Sequence, residues 1–338
     1  MNILITGGAG FIGSNFIPYF LNKYKNYNII NLDKLTYAGD LNNLTEVDGH
    51  PRYFFEQGDI CDRDKVEWIF KHYNIQGIIH FAAESHVDNS IKQPDIFIKT
   101  NINGTFTLLD VAYKYWMKAP FQYHDKYMKA RFHHISTDEV YGTLSSDPKE
   151  LFKETTPYAP NSPYSASKAS SDMLVRSYYH TYGLDVVITN CSNNYGAKQH
   201  DEKFIPTIIR NALKHNTIPL YGNGDNIRDW LYVEDHCSGI DIVYHKGKSG
   251  ESYNIGASNE QNNNTIVNKI CDLLDAIHPI NSDQSYKQFI TYVEDRPGHD
   301  KRYAIDATKI KKELGWSAST SFEDGLKHTI KYYMEKYL

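Results

Sequence analysis

The sequence predicts an α/β protein, a doubly wound parallel sheet joined to a smaller, interleaved substrate-binding domain. Short apolar runs alternate with longer amphipathic ones through the first half of the chain, the pattern of parallel strands connected by crossover helices on both faces. A glycine-rich turn falls between the first strand-like run and the first helix-like one. After about residue 195 the pattern becomes irregular and richer in Pro, Arg and His, yet no linker, repeat or low-complexity tract cuts the 338 residues. In chain order MNILITG, NIINLD, YFFEQGD, GIIHFAA, RFHHIS and DVVITNC read as strands. Between them SNFIPYFLNKY, DKVEWIFKHY, NGTFTLLDVAYKYW and SASKASSDMLVRSYYHTY carry apolar residues at helical spacing.

Apolar residues make up 41% and charged residues 23%, the composition of an ordinary soluble globular protein. A net charge of −5 offers no general attraction to nucleic acid or to an anionic membrane. No run approaches the roughly 18 apolar residues of a membrane span. MNILITGGAG has no basic region ahead of its apolar one, so it is not read as a signal peptide, and a cytoplasmic protein is expected. Cys61, Cys191, Cys237 and Cys271 are far apart and form no CxxC pair, and the 15 histidines show no HExxH spacing. His133 and His134 are adjacent, so on a strand they point to opposite faces. Neither a metal site nor a disulfide framework is expected. The 27 tyrosines read as compositional bias.

Thr6-Gly7-Gly8-Ala9-Gly10-Phe11-Ile12-Gly13 follows the first strand and opens the first helix. Gly7, Gly10 and Gly13 make a G-x-x-G-x-x-G variant of the dinucleotide fingerprint. The early glycines permit a tight turn and close backbone approach, and the last lets helix pack on strand. The helix N-terminus, with Phe11 and Ile12 in its first turn, presents unsatisfied amides to a pyrophosphate. Asp33 ends NIINLD, about 20 residues further on, placed to accept bonds from adenosine ribose hydroxyls. A carboxylate there repels a 2′-phosphate, which favours NAD over NADP. A turn acid before Lys34 is the plainer reading; strand, helix and spacing together favour the ribose. Asp59 and Ile60, after the third strand, are expected against the adenine. Residues 1–195 then form a Rossmann-type NAD-binding domain, with returning elements at about 229–257, and residues 196–338 mainly bind substrate.

HISTDEVYG, residues 134–142, begins like the end of a buried strand and then delivers Asp138 and Glu139 together. Two adjacent carboxylates are costly to bury unless paired. Either the strand has reached solvent, or a substrate there needs an acid and a base. In a regular strand the two face opposite sides, so both reach one substrate only if the strand ends by residue 138, as Gly142 permits. YSASK, residues 164–168, opens an amphipathic helix after Ser162-Pro163. Tyr164 and Lys168 are four apart and share a helix face. A tyrosine must lose about 3 units from a pKa of about 10 to act as a base near neutrality. Lys168 and a positive nicotinamide ring both favour the phenolate. An ordinary surface Tyr–Lys pair is the plainer alternative.

TGGAGFIG, Asp33 and YSASK resemble the extended short-chain dehydrogenase/reductases. HFAAESHVDNSI, HHISTDEVYG, SPYSASKASSD, TNCSNNYG, RDWLYVEDH and DRPGHDKRYAID narrow the resemblance to the dTDP-glucose 4,6-dehydratases, from residue 3 to about 335. Sugar-nucleotide 4-epimerases share the glycine loop and the Tyr–Lys pair but lack the Asp–Glu pair after the threonine. The resemblance implies NAD-dependent conversion of dTDP-glucose or UDP-glucose to a 4-keto-6-deoxy sugar nucleotide, a step towards deoxysugars such as rhamnose. It implies that Tyr164 takes the C4 hydroxyl proton and that Thr137 hydrogen-bonds the C4 oxygen. Glu139 then removes the C5 proton while Asp138 protonates the departing C6 hydroxyl. The resemblance adds Ala83 to the cofactor set. It also implies substrate contacts at Ser85, Asn194, Glu202, Lys203, Arg228, Asn263, Arg296 and His299, with Tyr303 close by. AKQHDEK stands where relatives carry a more proline-rich segment. The resemblance also implies a homodimer, formed through the helices around 103–117 and 165–181. A 4-epimerase and a non-catalytic NAD-binding regulatory protein are the alternatives.

Overall fold

The computed structural model describes residues 1–295 and 299–338; Arg296, expected at the substrate site, lies outside them. The first part runs β1 (Asn2–Thr6), α1 (Phe11–Lys23), β2 (Asn28–Asp33), β3 (Tyr53–Gln57), α2 (Arg63–Tyr73), β4 (Gly77–His80), α3 (Val87–Lys92), α4 (Pro94–Phe97) and α5 (Thr105–Trp116). A short hairpin, β5 (Met117–Ala119) and β6 (Gln122–Tyr123), precedes β7 (Arg131–Thr137), α6 (Pro163–Tyr182), β8 (Val186–Cys191) and β9 (Asn193–Tyr195). There follow α7 (Phe204–Leu213), β10 (Ile218–Tyr221), β11 (Ile227–Tyr232), α8 (Val233–Lys246), β12 (Ser252–Ile255) and β13 (Glu260–Asn262). The chain closes with α9 (Asn263–Ile277), β14 (Ile290–Val293), β15 (Arg302–Tyr303), α10 (Thr308–Leu314) and α11 (Phe322–Tyr337).

The main sheet has the order β12-β8-β7-β4-β1-β2-β3, and every neighbouring pair is parallel. The chain winds outward from β1 to β3, then crosses back to β4 on the other side of β1. That reversal opens a crevice at the carboxyl ends of β1 and β4, where ligands of such sheets bind. Helices cover both faces, so β1 is apolar on both. Ile3 and Ile5 join one cluster with Phe16, Ile17 and Ile240; Leu4 joins the other with Ile69, Leu108 and Phe132. Alternation thus divides one strand between the α1/α8 layer and the α2/α5/α6 layer. β11 pairs with β9, β13 and β15, and β10 with β14, outside the main sheet.

Local chemistry sets the helix boundaries. The Ser162 hydroxyl accepts from the Ser165 amide at 3.1 Å and the Ser165 hydroxyl from the Ser162 amide at 3.0 Å, a reciprocal cap that starts α6 at Pro163. Inside α1, Pro18 removes the donor due to the Ser14 carbonyl, and the Lys198 ammonium supplies one at 3.2 Å. The helix expected from residue 103 begins at Thr105, because Ile98–Gly104 winds as a π-helix. There the Asn101 amide accepts from the Glu84 N–H at 2.8 Å and donates to the Glu84 carbonyl at 3.0 Å and the Ser167 hydroxyl at 2.8 Å.

One buried carboxylate ties α1 to α8. Asp241 accepts from the Tyr19 and Tyr24 hydroxyls at 3.1 Å each and from Lys23 at 2.5 Å, and His245 Nδ1 lies 3.0 Å from it. Burial opposes the anion, but these partners outweigh it and hold its pKa below the ordinary value. A depressed carboxyl contributes stability above its unfolded pKa of about 3.9 and loses it as pH falls through the folded value. Asp241→Asn is expected to lower Tm near neutral pH and to converge on the wild type below about pH 4, read by thermal denaturation across pH. Lys23 is half exposed and can rehydrate, so the cost should be about 1–2 kcal/mol.

Candidate active site

The glycine loop leaves β1 with Gly7 at φ +72°, where an added Cβ would meet the Ala82 amide nitrogen at 2.6 Å. A Cβ on Gly13 would meet the Gly7 carbonyl oxygen at 2.5 Å. Both contacts are with backbone, so neither position admits a side chain. Gly10 is the N-cap of α1 and, among the described residues, no side chain caps it. Its first-turn amides therefore stay available to a phosphate. Asp33 closes the loop from below: Oδ2 accepts from the Ala9 amide at 2.9 Å and Oδ1 from the Leu35 amide at 2.8 Å. Burial raises its pKa against those two bonds. Each oxygen keeps a further lone pair for a hydroxyl. Lys34 pairs with Asp59 at 2.9 Å. Burial works against the Asp59 anion, yet the Cys61 amide and Lys34 hold it below the ordinary range. A cradle closed to side chains, an uncapped helix end and a carboxylate at the next strand end fit an adenine dinucleotide.

β7 stops at Thr137, and Asp138–Tyr141 forms one 3-10 turn, capped by the Thr137 hydroxyl accepting from the Glu139 amide at 3.3 Å. Gly142 follows at φ +91°, where a Cβ would lie 2.5 Å from the Ala159 carbonyl oxygen. The strand has ended by residue 138, so the two carboxyls are freed from opposite faces. Asp138 is 2% exposed, and among the described residues its Oδ2 has no hydrogen-bond partner. Burial lifts its carboxyl well above the usual range; Glu139 and Asp229 add to this and Arg228 opposes it. Burial thus favours the protonated form of Asp138, with half-buried Glu139 beside it.

Tyr164, one residue into α6, is buried. Lys168, expected to lower the Tyr164 pKa, is not among the largest influences on it. Burial pushes the phenol well up, Glu139 and Cys191 push it further, and the hydrogen bond from Thr137 is what opposes them. Lys168 lines the same cleft and donates to the Ile135 carbonyl at 2.8 Å, with His134 Nε2 at 3.4 Å. Burial draws its own pKa down to about 8.

A single cleft is lined by Gly7, Gly10, Phe11, Ile12, Gly13, Asp33, Asp59, Ile60, Ala83, Thr137, Asp138, Glu139, Tyr164 and Lys168, and also by Ser85, Asn194, Glu202 and Lys203. Lys203 donates to the Ser85 carbonyl at 3.0 Å. Asn194 Oδ1 meets His236 Nδ1 at 2.9 Å, which fixes the amide. Arg228, Asn263 and His299 do not line it. The Arg228 guanidinium lies over the Tyr303 ring at 4.3 Å and donates to the Ile227, Asp300 and Lys301 carbonyls. His299 lines a separate recess with Asn161 and Asp300, and Asn263 opens α9 with its amide on the Asn226 carbonyl at 3.1 Å. Sequence reasoning missed a group at the mouth of the cleft. His86 and His200 approach Glu202 at 3.8 and 3.7 Å, and the Tyr37 ring stands edge-on to His200 at 5.4 Å. Three distant segments supply these residues, so no spacing in the sequence marks them.

Residues 4–329 match the family model described as GDP-mannose 4,6 dehydratase. The chain is 53% identical to the dTDP-glucose 4,6-dehydratase of Salmonella typhimurium over 341 residues, covering 99% of this chain and 93% of that one. Among solved structures it is similar to dTDP-glucose 4,6-dehydratase from Bacillus anthracis in complex with NAD, with a TM-score of 0.86, 47% identity and coverage of 99% and 97%. It is also similar to UDP-glucose 4-epimerase from Thermotoga maritima, with a TM-score of 0.84, 29% identity and coverage of 99% of each chain.

The charge state of Asp138 is testable through stability. A carboxyl whose folded pKa is raised costs stability as pH climbs above its unfolded value of about 3.9. Asp138→Asn removes that cost, so its Tm should exceed the wild type's, with a gap that widens from about pH 4 towards neutrality. A gap that narrows instead would mean that Asp138 is ionised in the fold.

Proposed function

The chain belongs to the dTDP-glucose 4,6-dehydratases, a family within the GDP-mannose 4,6 dehydratase model, and from that premise we propose that it dehydrates dTDP-glucose to the 4-keto-6-deoxy sugar nucleotide. The observation that carries this reading is a buried carboxyl, its Oδ2 unpartnered among the described residues, beside a second carboxyl and a tyrosine in the cleft that begins at the glycine loop. NAD bound there supplies the acceptor for the C4 hydride and then the donor for C6. Gly7, Gly10 and Gly13 give the pyrophosphate its approach, and Asp33 offers its remaining lone pairs to the ribose.

Tyr164 takes the C4 hydroxyl proton, and Thr137 hydrogen-bonds the same oxygen. Because burial and Glu139 hold the phenol protonated, a positive charge brought in with the ligands is what tips Tyr164 towards the phenolate. The C4 ketone acidifies C5–H. Glu139 accepts that proton, the C5=C6 bond forms, and C6–O breaks with Asp138 giving the proton that turns hydroxyl into water. Glu139 then returns a proton to C5 as hydride reaches C6. A 4-epimerase has no step that uses a proton donor aimed at a leaving hydroxyl, so the paired carboxyls favour elimination.

Ser85, Asn194, Glu202 and Lys203 hold the sugar side of the substrate. Arg228, Asn263 and His299, with Arg296, hold the nucleotide further out, where the guanidinium fork suits phosphate oxygens. In this division residues 1–195 carry the cofactor and residues 196–338 mainly the nucleotide. No helix among the described residues is long and apolar enough to cross a membrane, and a cytoplasmic enzyme is the reading adopted. A homodimer through α5 and α6 is supported by the exposure of Phe106 and Met173, at 43% and 52%.

Three outcomes test the mechanism. Substrate deuterated at C4 should deliver its label to C6 of the product. Glu139→Gln should lower turnover by at least about 100-fold, the scale of a lost general base, and abolish solvent deuterium entry at C5. Tyr164→Phe should stop the reaction before any exchange at C5. Label lost to solvent, or C5 exchange that survives in Glu139→Gln, would overturn the assignment.

A further inference from the structure

Tyr164, Lys168 and Asp172 stand at i, i+4 and i+8 along α6 and form one stripe. The mechanism uses Tyr164, and Lys168 lines the same cleft. The third is 2% exposed and is built into its surroundings. Its Oδ2 accepts from the Ser136 and Tyr158 hydroxyls at 2.8 and 3.0 Å and from Asn190 Nδ2 at 3.4 Å. Its Oδ1 lies 3.2 Å from His134 Nε2, the nitrogen that also lies 3.4 Å from Lys168 Nζ. Donors converging on one carboxylate oxygen favour the anion. A buried anion needs a nearby cation, and the buried ammonium one helical turn back is Lys168.

We propose that Asp172 is a positioning residue that, across His134, keeps Lys168 charged and fixed on the Ile135 carbonyl beside Tyr164. The inference rests on the dehydratase reading for what Lys168 does. Lys168 can only donate, so its 3.4 Å contact makes His134 Nε2 the acceptor, and Asp172 Oδ1, which has no hydrogen-bond partner among the described residues, faces the pair as a charge. Burial pulls Lys168 down to about 8, with Asp172 the largest opposing influence, and pushes Asp172 up to about 6, with Lys168 the largest opposing influence there. The other titratable groups facing the pair come from every neighbouring element: His80 on β4, His134 on β7, Tyr141 on the 3-10 turn, Tyr158 before α6 and Cys191 on β8. Burial drives each of them towards its neutral form. Asp172 is therefore the charge in this packet that can keep Lys168 protonated as pH rises.

The test is the pH profile of kcat with dTDP-glucose for the NAD-loaded enzyme and for Asp172→Asn. Loss of the anion should move the alkaline fall of kcat to lower pH by about one unit and leave KM for the nucleotide sugar unchanged. Activity should return towards the wild type below that fall. Tyr158→Phe removes one donor from Asp172 and should shift the limb in the same sense by less; it carries the test if Asp172→Asn does not fold. Nitrogen NMR of labelled lysine, assigned with Lys168→Met, should show the Lys168 ammonium deprotonating at lower pH in Asp172→Asn. An unmoved alkaline limb, or an equal loss at every pH, would overturn the proposal. A wild-type enzyme that forms no product would defeat the dehydratase reading instead, and the lysine titration would still decide the role of Asp172.

Discussion

Burial dominates the carboxyl end of β7, and it shifts each ionisable side chain there away from its charged form. In water an aspartic acid is ionised at neutral pH and a lysine is protonated, each by a margin of several pKa units. Desolvation penalises both charges, so it raises the Asp138 carboxyl and lowers the Lys168 ammonium. Two groups that could not exchange roles in solution are drawn towards the same pH range. Tyr164 is the exception, because burial moves a phenol further from the state its chemistry needs. Among the largest influences on it, the opposing one is the Thr137 hydroxyl, so a positive charge arriving with bound ligands would favour the phenolate.

A buried site requires backbone packed closely around it, and the fold provides this in two ways. The winding reversal between β1 and β4 opens one crevice, and contacts that tolerate no Cβ at Gly7, Gly13 and Gly142 hold its walls together. The segment after the carboxyl pair is then tied down by Arg302 on β15. Its guanidinium pairs with Glu260 at 2.6 and 2.8 Å and donates to the Asp147 and Glu150 carbonyls at 2.9 and 3.0 Å. The Leu144 and Phe152 amides bond back to β15 and the residue after it. The second half of the chain thus caps the end of a strand from the first, although β15 itself has only two residues.

What was legible in the sequence is what depends on local order. The six strand-like runs and the glycine loop rest on period, on turn chemistry and on a spacing of some 20 residues to an acid, and each corresponds to an element of the sheet or its first crossover. The reciprocal cap of α6 was visible in part as Ser162-Pro163. The π-helix at Ile98–Gly104 was not, because it follows from long-range bonds of Asn101 to Glu84 and Ser167. Lys168 was read as the partner of Tyr164 because i, i+4 spacing suggests contact, but its side chain follows the stronger acceptor at Ile135. Asp172 carried a signal that went unused: a third ionisable residue on the Tyr164–Lys168 stripe, where an amphipathic helix should turn apolar. The pairing of Lys34 with Asp59 joins two strand ends and has no linear signature.

The order of residues in DEVY follows from the turn they occupy. A strand rotates successive side chains by 180°, whereas a 3-10 turn rotates them by about 120°. Asp138 and Glu139 can therefore both line the cleft. The same geometry directs the next two residues inward. Val140 is fully buried, and Tyr141 stacks on Phe152 at 5.2 Å and donates to Asn254 at 2.9 Å. Those inward contacts fix the rotation of the turn and, with it, the aim of both carboxyls. The two carboxyls are adjacent in sequence because the half-turn that faces the cleft holds only two residues before the core claims the rest. Extending β7 by one residue would keep both carboxyls in the chain and still separate them across the sheet.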